Sequence, residues 1–197
     1  MNDSWKFDVL PADEHNRKLL DNVHPSDWTN PEPDGPYNLV VIGGGSAGLI
    51  AAIGTAGLGG KVALIERHLM GGDCLNVGCV PSKSIIRPAR LAHEMRHAEG
   101  FGLSPAEIRR EDFPKVMERM RSLRADFSGH DSPQRFTEEG VDIFIGEARF
   151  TGQKTIEVGG KRYPLKKQSL PPAPVHAFPT SRDSKKPAIA PTKPFLT

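Results

Sequence analysis

Apolar and polar residues follow one another along the chain in blocks that predict a β-α-β unit between residues 37 and 66. The apolar run Tyr37–Ile42 ends at a glycine cluster and predicts a buried strand. Ser46–Gly57 is rich in Ala, Leu, Ile and Gly and predicts a helix, and Lys61–Glu66 predicts a second buried strand. Two strands joined by a helix over about 30 residues form a right-handed crossover unit. The expected fold class is therefore α/β and Rossmann-like.

The segments on either side predict further helices and a small sheet. A short helix is expected at Asp13–Asn22, and two amphipathic helices at Ser82–Glu99 and Asp112–Phe127. The segments VDIFIGEARF and KTIEVGGKRYPL then predict three or four short strands in an antiparallel meander. The apolar positions expected to share helix faces are Ile85, Ile86, Ala89, Ala92 and Met95 in one helix and Val116, Met120 and Leu123 in the next.

Composition divides the 197 residues into three parts. Residues 1–36 are polar, and Trp5 and Trp28 are expected to pack this N-terminal arm onto the body. Residues 37–165 are expected to form the folded domain. Residues 166–197 hold no Gly, seven of the 18 Pro, and a net charge of +5, whereas residues 1–165 carry −3. This tail is expected to be a disordered segment outside the fold.

Several classes of protein are disfavoured by the same composition. The body has no basic stripe with interleaved aromatic residues, so no nucleic acid is expected as a partner. The uncharged stretch Leu39–Gly60 is long enough to span a membrane, but eight of its 22 residues are Gly, so a strand, a turn and a helix explain it better. The polar N-terminus does not resemble a signal peptide, and a soluble, cytoplasmic protein is expected.

No metal site is expected either. His93 and His97 are four residues apart on a predicted helix but lack a third ligand, so a solvated helix face is the favoured interpretation. The basic and acidic residues of segment 109–124 are expected to form an exposed helix surface with ordinary ion pairs.

A dinucleotide site is predicted where the first strand meets the first helix of the unit. Gly43-Gly44-Gly45-Ser46-Ala47-Gly48 fits Gly-x-Gly-x-x-Gly in the required strand–turn–helix context. Gly43 permits the tight turn, Gly45 lets the backbone approach a pyrophosphate, and Gly48 lets helix and strand pack closely. Glu66 ends the second strand, where its carboxylate can accept hydrogen bonds from an adenosine ribose.

The only two cysteines of the chain, Cys74 and Cys79, follow this unit with a Cys-x4-Cys spacing. They can meet in a disulfide if the backbone kinks between them, and a helix N-terminus there would lower a thiol pKa. A disulfide beside a flavin could accept an electron pair. Two buried structural cysteines, or half of a metal site, remain the alternatives.

Residues 71–83, GGDCLNVGCVPSK, resemble the redox-active segment of the class I pyridine nucleotide-disulfide oxidoreductases. This family includes dihydrolipoamide dehydrogenase, glutathione reductase and mercuric reductase. The resemblance runs from about residue 37 to residue 165 and covers the N-terminal, FAD-binding part. It implies a flavoenzyme in which NAD(P)H reduces FAD and FAD reduces a Cys74–Cys79 disulfide, which then reduces a small-molecule or metal-ion acceptor.

The resemblance also implies a role for individual residues. Cys79 would lie against the flavin ring as the charge-transfer thiolate, and Cys74 would be the outer, exchanging thiol. Lys83 would tune the flavin electrostatically, and Ala148 would touch the adenine through its backbone. Asp73 stands where the family commonly has Thr, so its carboxylate would repel the flavin phosphates unless it is solvated or paired. The expected cofactor-binding residues are Gly43, Gly45, Ser46, Ala47, Gly48, Glu66, Gly72, Asp73, Lys83 and Ala148.

The tail lacks the next family segment, a strand of the type A-V-I-A-T-G. Synonymous codon choices allow the neighbouring reading frame, from about Lys167 onward, to encode A-V-I-A-T-G followed by a family-like sequence. We therefore hypothesise that one nucleotide was lost near the Lys167 codon and that the final 30 residues have no evolved structure.

The favoured function is a mercuric reductase-like enzyme with an acceptor such as Hg(II), represented here by its N-terminal part. Dihydrolipoamide dehydrogenase is the close alternative, and a non-catalytic FAD- or nucleotide-binding module is the alternative of another class. Full-length family members are expected to be homodimers. The sequence shows no second Gly-x-Gly-x-x-Gly for NAD(P)H, so the 197-residue chain is predicted not to turn over by itself.

Overall fold

The computed structural model describes residues 9–107, 109–152 and 155–164, and this part of the chain contains six α-helices and six strands. The helices are α1 (Glu14–Val23), α2 (Ser46–Gly57), α3 (Gly72–Asn76), α4 (Cys79–Arg96), α5 (Phe113–Ser128) and α6 (Pro133–Glu138). The strands are β1 (Leu39–Ile42), β2 (Val62–Glu66), β3 (Val141–Ile145), β4 (Ala148–Gly152), β5 (Thr155–Val158) and β6 (Lys161–Pro164). The α/β, Rossmann-like fold class is confirmed.

A parallel three-stranded sheet with the order β1-β2-β3 forms the centre of the fold. Leu39 pairs with Val62, and Val62 pairs with Val141 on its other side. The prediction that VDIFI belongs to an antiparallel meander is therefore wrong. All five residues of β2 are buried, and a strand buried on both faces also needs a partner at each edge to satisfy its backbone groups. The meander itself consists of β4, β5 and β6.

The two faces of the central sheet are covered by different layers. Side chains alternate along each strand, so residues two apart point to the same face. One face packs against α1, α2 and α6, and the other packs against the meander. The strand residues on the helical face are Val41, Val62, Leu64, Val141 and Ile143, and those on the meander face are Val40, Ala63, Ile65 and Phe144.

The N-terminal arm contributes to the core as well as covering it. Its predicted helix is present as α1, and Asp13 caps it by accepting a hydrogen bond from the Asn16 amide at 2.9 Å. Leu19 and Val23 on this helix are 1% and 0% exposed. Trp28 packs against the same core, as predicted, whereas Trp5 lies outside the described residues.

The two long helices differ from prediction in detail. α4 begins at Cys79, one turn before the predicted start, and Ile86 and Leu91 on it remain exposed. In α5 Met120 is buried, as the apolar spacing predicts, but Arg124 is buried too. The prediction that segment 109–124 is wholly an exposed surface is wrong at this position, because Arg124 turns inward and donates to the Asn76 carbonyl and to the Asn16 side chain.

No helix in the described ranges is long and apolar enough to cross a bilayer. His93 and His97 are both exposed, and their rings stack at 4.2 Å between centroids. Within the same ranges, no group of three or more His, Cys, Asp or Glu side chains could hold a metal ion. The predicted tail, residues 166–197, lies outside the described residues.

Candidate dinucleotide and dithiol site

The glycine turn between β1 and α2 is shaped by three glycines with different surroundings. Gly43 has a φ of +104°, a region that favours glycine. A Cβ on Gly45 would meet only the Gly72 Cα, at 3.8 Å, so the space above Gly45 is open to a ligand. A Cβ on Gly48 would lie 2.0 Å from the Gly43 carbonyl oxygen. Gly48 therefore allows the helix to sit directly against the turn.

The start of α2 presents unpaired amides above this open space. Gly45 is the N-cap residue and provides no side-chain hydrogen bond to the first turn. The first amides of a helix have no carbonyl partner within the helix, and the helix dipole adds a partial positive charge there. Together with the open face of Gly45, this donor set fits a pyrophosphate group.

Glu66, at the end of β2, points back to the glycine turn. Its carboxylate accepts a hydrogen bond from the Gly44 amide at 2.6 Å and one from the His68 amide at 2.7 Å. A carboxylate has about four acceptor positions, so two remain for other donors such as hydroxyl groups. The residue predicted to bind a ribose thus also braces the turn that would hold the phosphates.

Residues 71–76 run directly alongside the glycine turn. The Gly71 amide donates to the Gly44 carbonyl at 2.8 Å. Gly72 has a φ of +55°, and a Cβ on it would lie 2.6 Å from the Gly45 Cα. Asp73 is exposed in the first turn of α3, where a negative charge is favoured by the helix dipole. Because Asp73 is exposed, its carboxylate is solvated, which meets the condition stated above for avoiding repulsion of the flavin phosphates.

The two cysteines are brought together by a corner between α3 and α4. Cys74 lies in α3, Cys79 is the first residue of α4, and the two helices are separated by Val77 and Gly78. A Cβ on Gly78 would lie 2.7 Å from the Asp73 carbonyl oxygen, so the corner is tight enough to exclude a side chain. The backbone break that the disulfide prediction required is therefore present.

Both cysteines are free thiols in the structure, with Cys74 half-buried and Cys79 exposed. The pKa of the Cys79 thiol lies above its usual value, chiefly because its side chain hydrogen-bonds with Cys74. The positive charge of Lys83, one turn further along α4, acts in the opposite direction. The lowered thiol pKa expected at a helix N-terminus is thus outweighed in the dithiol form by the neighbouring thiol.

Ala148 belongs to the second sheet and follows closely after a residue that contacts Glu66. The Gly146 amide, two residues before it, donates to the Glu66 carbonyl at 2.9 Å. Ala148 itself starts β4 and packs half-buried against the meander side of the core. The structure therefore places Ala148 beside the strand end where the adenosine is expected.

A cavity of about 290 Å³ opens next to Cys74, between α2, α3 and segment 127–136. Most of its surface is apolar. Asp131 supplies a carboxyl group whose pKa is raised by burial, an effect that the charges of Arg135 and His130 oppose. The other lining residues include Ser46, Leu49, Ile50, Cys74 and Phe127.

Sequence reasoning missed three polar residues of this site: Asn76, Arg124 and Asp131. Arg124 donates to the Asn76 carbonyl at 2.7 Å, in the corner between the cysteines. One signal was available, because Arg124 follows Met120 by four residues and so continues the apolar stripe of α5. Nothing in the local sequence pattern indicates that Asp131 lines the cavity.

The fold and the site together define a Rossmann-type dinucleotide-binding unit whose glycine turn contacts Gly71 and Gly72, at the start of the helix that carries Cys74. The profile of the pyridine nucleotide-disulphide oxidoreductase family matches residues 37–168. The chain belongs to this family, whose members are disulfide oxidoreductases that use FAD and NAD(P)H.

Curated relatives carry two different names. The dihydrolipoyl dehydrogenase of Zymomonas mobilis is 39% identical over 123 residues, which are 62% of this chain and 26% of the relative. The mercuric reductase of Bacillus cereus is 30% identical over 138 residues, 70% of this chain and 22% of the relative. The dihydrolipoyl dehydrogenase of Thermus scotoductus is 36% identical over 152 residues, 75% of this chain and 32% of the relative. The chain thus spans between 22% and 32% of the length of these relatives.

Proposed function

We propose that this chain is the FAD-binding, dithiol-bearing part of an NAD(P)H-dependent disulfide oxidoreductase. The observation that carries the proposal is the contact between the glycine turn and the start of α3, the helix that carries Cys74, made by the Gly71 amide and the Gly44 carbonyl at 2.8 Å. This contact places a dithiol next to a dinucleotide cradle. FAD, when bound there, supplies a carrier for electron pairs between a nicotinamide and the cysteine pair.

Each site residue has a proposed task in that arrangement. The amides at the start of α2 bind the pyrophosphate, and Glu66 binds the adenosine ribose while it holds Gly44. Lys83 places a positive charge near the Cys79 thiol and favours its thiolate form. The remaining proposed FAD contacts are Gly43, Gly45, Ser46, Ala47, Gly48, Gly72, Asp73 and Ala148.

Cys74 is the proposed exchanging thiol, because it lines the cavity. When the dithiol closes to a disulfide, the two sulfur atoms release two electrons to the acceptor and two protons to solvent. We favour a mercuric reductase-like enzyme that reduces a metal ion such as Hg(II). A small disulfide, as in dihydrolipoamide dehydrogenase, is the alternative. Relatives with both names support the shared dithiol chemistry.

We also propose boundaries for the FAD-binding domain. The family match ends at residue 168, next to the Lys167 codon where we hypothesise a lost nucleotide. This agreement supports residues 37–165 as the FAD-binding domain and the reading-frame explanation for residues 166–197. We further propose a cytoplasmic protein and a homodimeric full-length enzyme.

A FAD-binding module without turnover is the second candidate for the 197-residue chain. It is favoured because the 197 residues hold no second Gly-x-Gly-x-x-Gly for NAD(P)H. The two candidates share the cofactor site and differ in whether Cys74 and Cys79 cycle between dithiol and disulfide. Neither candidate includes steady oxidation of NAD(P)H by the 197-residue chain alone. We expect none from the purified chain, and steady oxidation would contradict that expectation.

The proposal is tested by titrating the purified chain with FAD and counting its thiols after mild oxidation. We expect saturable quenching of flavin fluorescence and the loss of two hydrogen atoms, measured by intact mass. Cys74→Ser should abolish the mass change and leave FAD binding unchanged. A chain that fails to bind FAD, or that forms no Cys74–Cys79 disulfide, would overturn the proposal.

A further inference from the structure

The corner between the two cysteines is held by a side chain from another helix. α3 ends at Asn76, and the last carbonyls of a helix have no partner within the helix. Arg124 Nη1 donates to the Asn76 carbonyl at 2.7 Å. The Asn76 side-chain amide donates to the Met70 carbonyl at 3.1 Å and to the Gly72 carbonyl at 2.9 Å. On the Cys74 side of the corner, the backbone carbonyls of Met70, Gly72 and Asn76 thus all accept hydrogen bonds from side chains.

Arg124 is itself held by the N-terminal arm. Its second terminal nitrogen, Nη2, donates to Asn16 Oδ1 at 2.6 Å. Asn16 is 1% exposed, and its side-chain amide nitrogen donates to the Pro11 carbonyl at 2.7 Å. Asn16 and Pro11 precede residue 37, where the family match begins. The support for the corner thus includes a part of the chain outside the family match.

Keeping Arg124 in this position carries a desolvation cost. The side chain is 8% exposed, and burial lowers the pKa of its guanidinium group. Its Nε and Asn76 Oδ1 are both buried without a hydrogen-bond partner in the described part of the chain. A buried charge with an unpaired donor is weak evidence for a gain in stability. The buried position of Arg124 is better explained by the geometry that it imposes on the corner between Cys74 and Cys79.

We propose that Arg124 is a positioning residue for the dithiol. By fixing the Asn76 carbonyl, it holds α3 against the start of α4 and keeps the Cys74 and Cys79 thiols within reach of each other. Asn16 acts through Arg124. This inference rests on the proposed function, because it concerns the redox pair of that site.

Substitution of Arg124 should change the equilibrium between the dithiol and disulfide forms of Cys74 and Cys79. With oxidised glutathione as the oxidant, the glutathione S–S bond breaks and a bond forms between the sulfur atoms of Cys74 and Cys79. Each half of the oxidised glutathione takes up one electron and one thiol proton, and the two halves leave as two molecules of reduced glutathione. A corner that holds the thiols together favours the disulfide, because less conformational freedom is lost when the bond forms.

The experiment equilibrates the 197-residue chain in a series of glutathione redox buffers and then counts alkylated thiols by mass. Arg124→Met removes both donors while keeping an unbranched stem, and we expect the equilibrium constant for disulfide formation to fall tenfold or more, which is about 30 mV. Arg124→Lys should recover part of this loss, and Asn16→Ala should lower the constant about threefold. The matched control is Arg121→Met on the same helix, because Arg121 binds Asp13 in the arm at 2.5 Å. We expect it to stay within twofold of the unmodified chain.

The outcomes separate this inference from the proposed function. If the unmodified chain forms no Cys74–Cys79 disulfide in any buffer, the proposed function fails and the positioning role fails with it. If it forms one and folded Arg124→Met keeps the same constant, only the positioning role is overturned. An equal shift in Arg121→Met also overturns it, because the effect would then come from a loosened arm. Should Arg124→Met fail to fold, Arg124→Lys and Asn16→Ala decide by the same criterion.

Discussion

Alanine substitutions at Gly48 and Gly54 test the close packing of α2 on the glycine turn. Both residues lie in α2, six positions apart. A Cβ on Gly54 would meet no atom within 4 Å. A Cβ on Gly48 would lie 2.0 Å from the Gly43 carbonyl oxygen and 3.1 Å from Val41 Cγ1. The same chemical change is therefore free at one position and blocked at the other.

The magnitudes follow from these distances. Alanine is the better helix former by about 1 kcal/mol, so Gly54→Ala should raise the free energy of unfolding by that amount. At Gly48 the turn and the helix would have to separate by about 1 Å, because contacts under 3.0 Å are essentially never seen. Insertion into a packed region costs about 1–3 kcal/mol, and a backbone contact has no rotamer to relieve it. At the upper end of that range, about 3 kcal/mol, less the gain in helix propensity of about 1 kcal/mol, Gly48→Ala should lose about 2 kcal/mol.

The assay is urea unfolding of the 197-residue chain, followed by far-ultraviolet circular dichroism. Equal slopes against urea in the two variants would show that the same surface unfolds in both. The expected difference of about 3 kcal/mol corresponds to about two orders of magnitude in the unfolding equilibrium constant. FAD affinity, measured in parallel, should fall for Gly48→Ala and stay unchanged for Gly54→Ala. If Gly48→Ala were as stable as Gly54→Ala, the packing argument would be refuted.

Three further substitutions test contacts away from the turn. Tyr37→Phe removes the 2.7 Å hydrogen bond from a buried hydroxyl to the Asp142 carboxylate, and urea unfolding should show a loss of about 1.5–3 kcal/mol; an unchanged midpoint would contradict it. Asn30→Ala removes the side chain that accepts from the Ile145 amide at 2.8 Å and donates to its carbonyl at 3.0 Å. Hydrogen exchange of that amide should accelerate, and exchange at the original rate would show that the arm is held elsewhere. Burial raises the pKa of the Asp131 carboxyl in the folded state, so the folded chain binds more protons than the unfolded chain and loses stability as pH rises through that pKa. Asp131→Asn should remove this loss and be the more stable protein at neutral pH, whereas identical pH profiles of the two proteins would count against a buried carboxyl.

The bounds of the β1–turn–α2–β2 unit could be predicted from the sequence to within two residues. The predicted bounds of α2 are those observed, and β1 and β2 begin within two residues of prediction. The reason is that strand, turn and helix each carry a local signal: an apolar run, glycines at fixed spacing, and a change of hydrophobic period. A kink between Cys74 and Cys79 was only a condition of the disulfide prediction, and the structure locates it at Val77 and Gly78.

Residues whose partners are distant in the chain could not be placed in this way. The pairing of β3 with β2 joins residues far apart in sequence, and an apolar strand is compatible with either sheet. Arg124 contacts Asn16, 108 residues earlier, and Asn76, 48 residues earlier. Helical charge patterns favour an exposed arginine, and only the meeting of α1, α3 and α5 creates a buried place that needs its donors.

The sequence by itself therefore determined the local chemistry of this protein: a glycine turn for a dinucleotide, an acidic residue at the next strand end, and two cysteines with a Cys-x4-Cys spacing. Only the tertiary structure decided how these parts are supported. The cavity beside Cys74, the burial of Asp131 and the contact from the N-terminal arm to the cysteine corner all depend on packing between distant segments. Such packing is selected by the shape and the hydrogen-bonding needs of the assembled core, which no local pattern encodes.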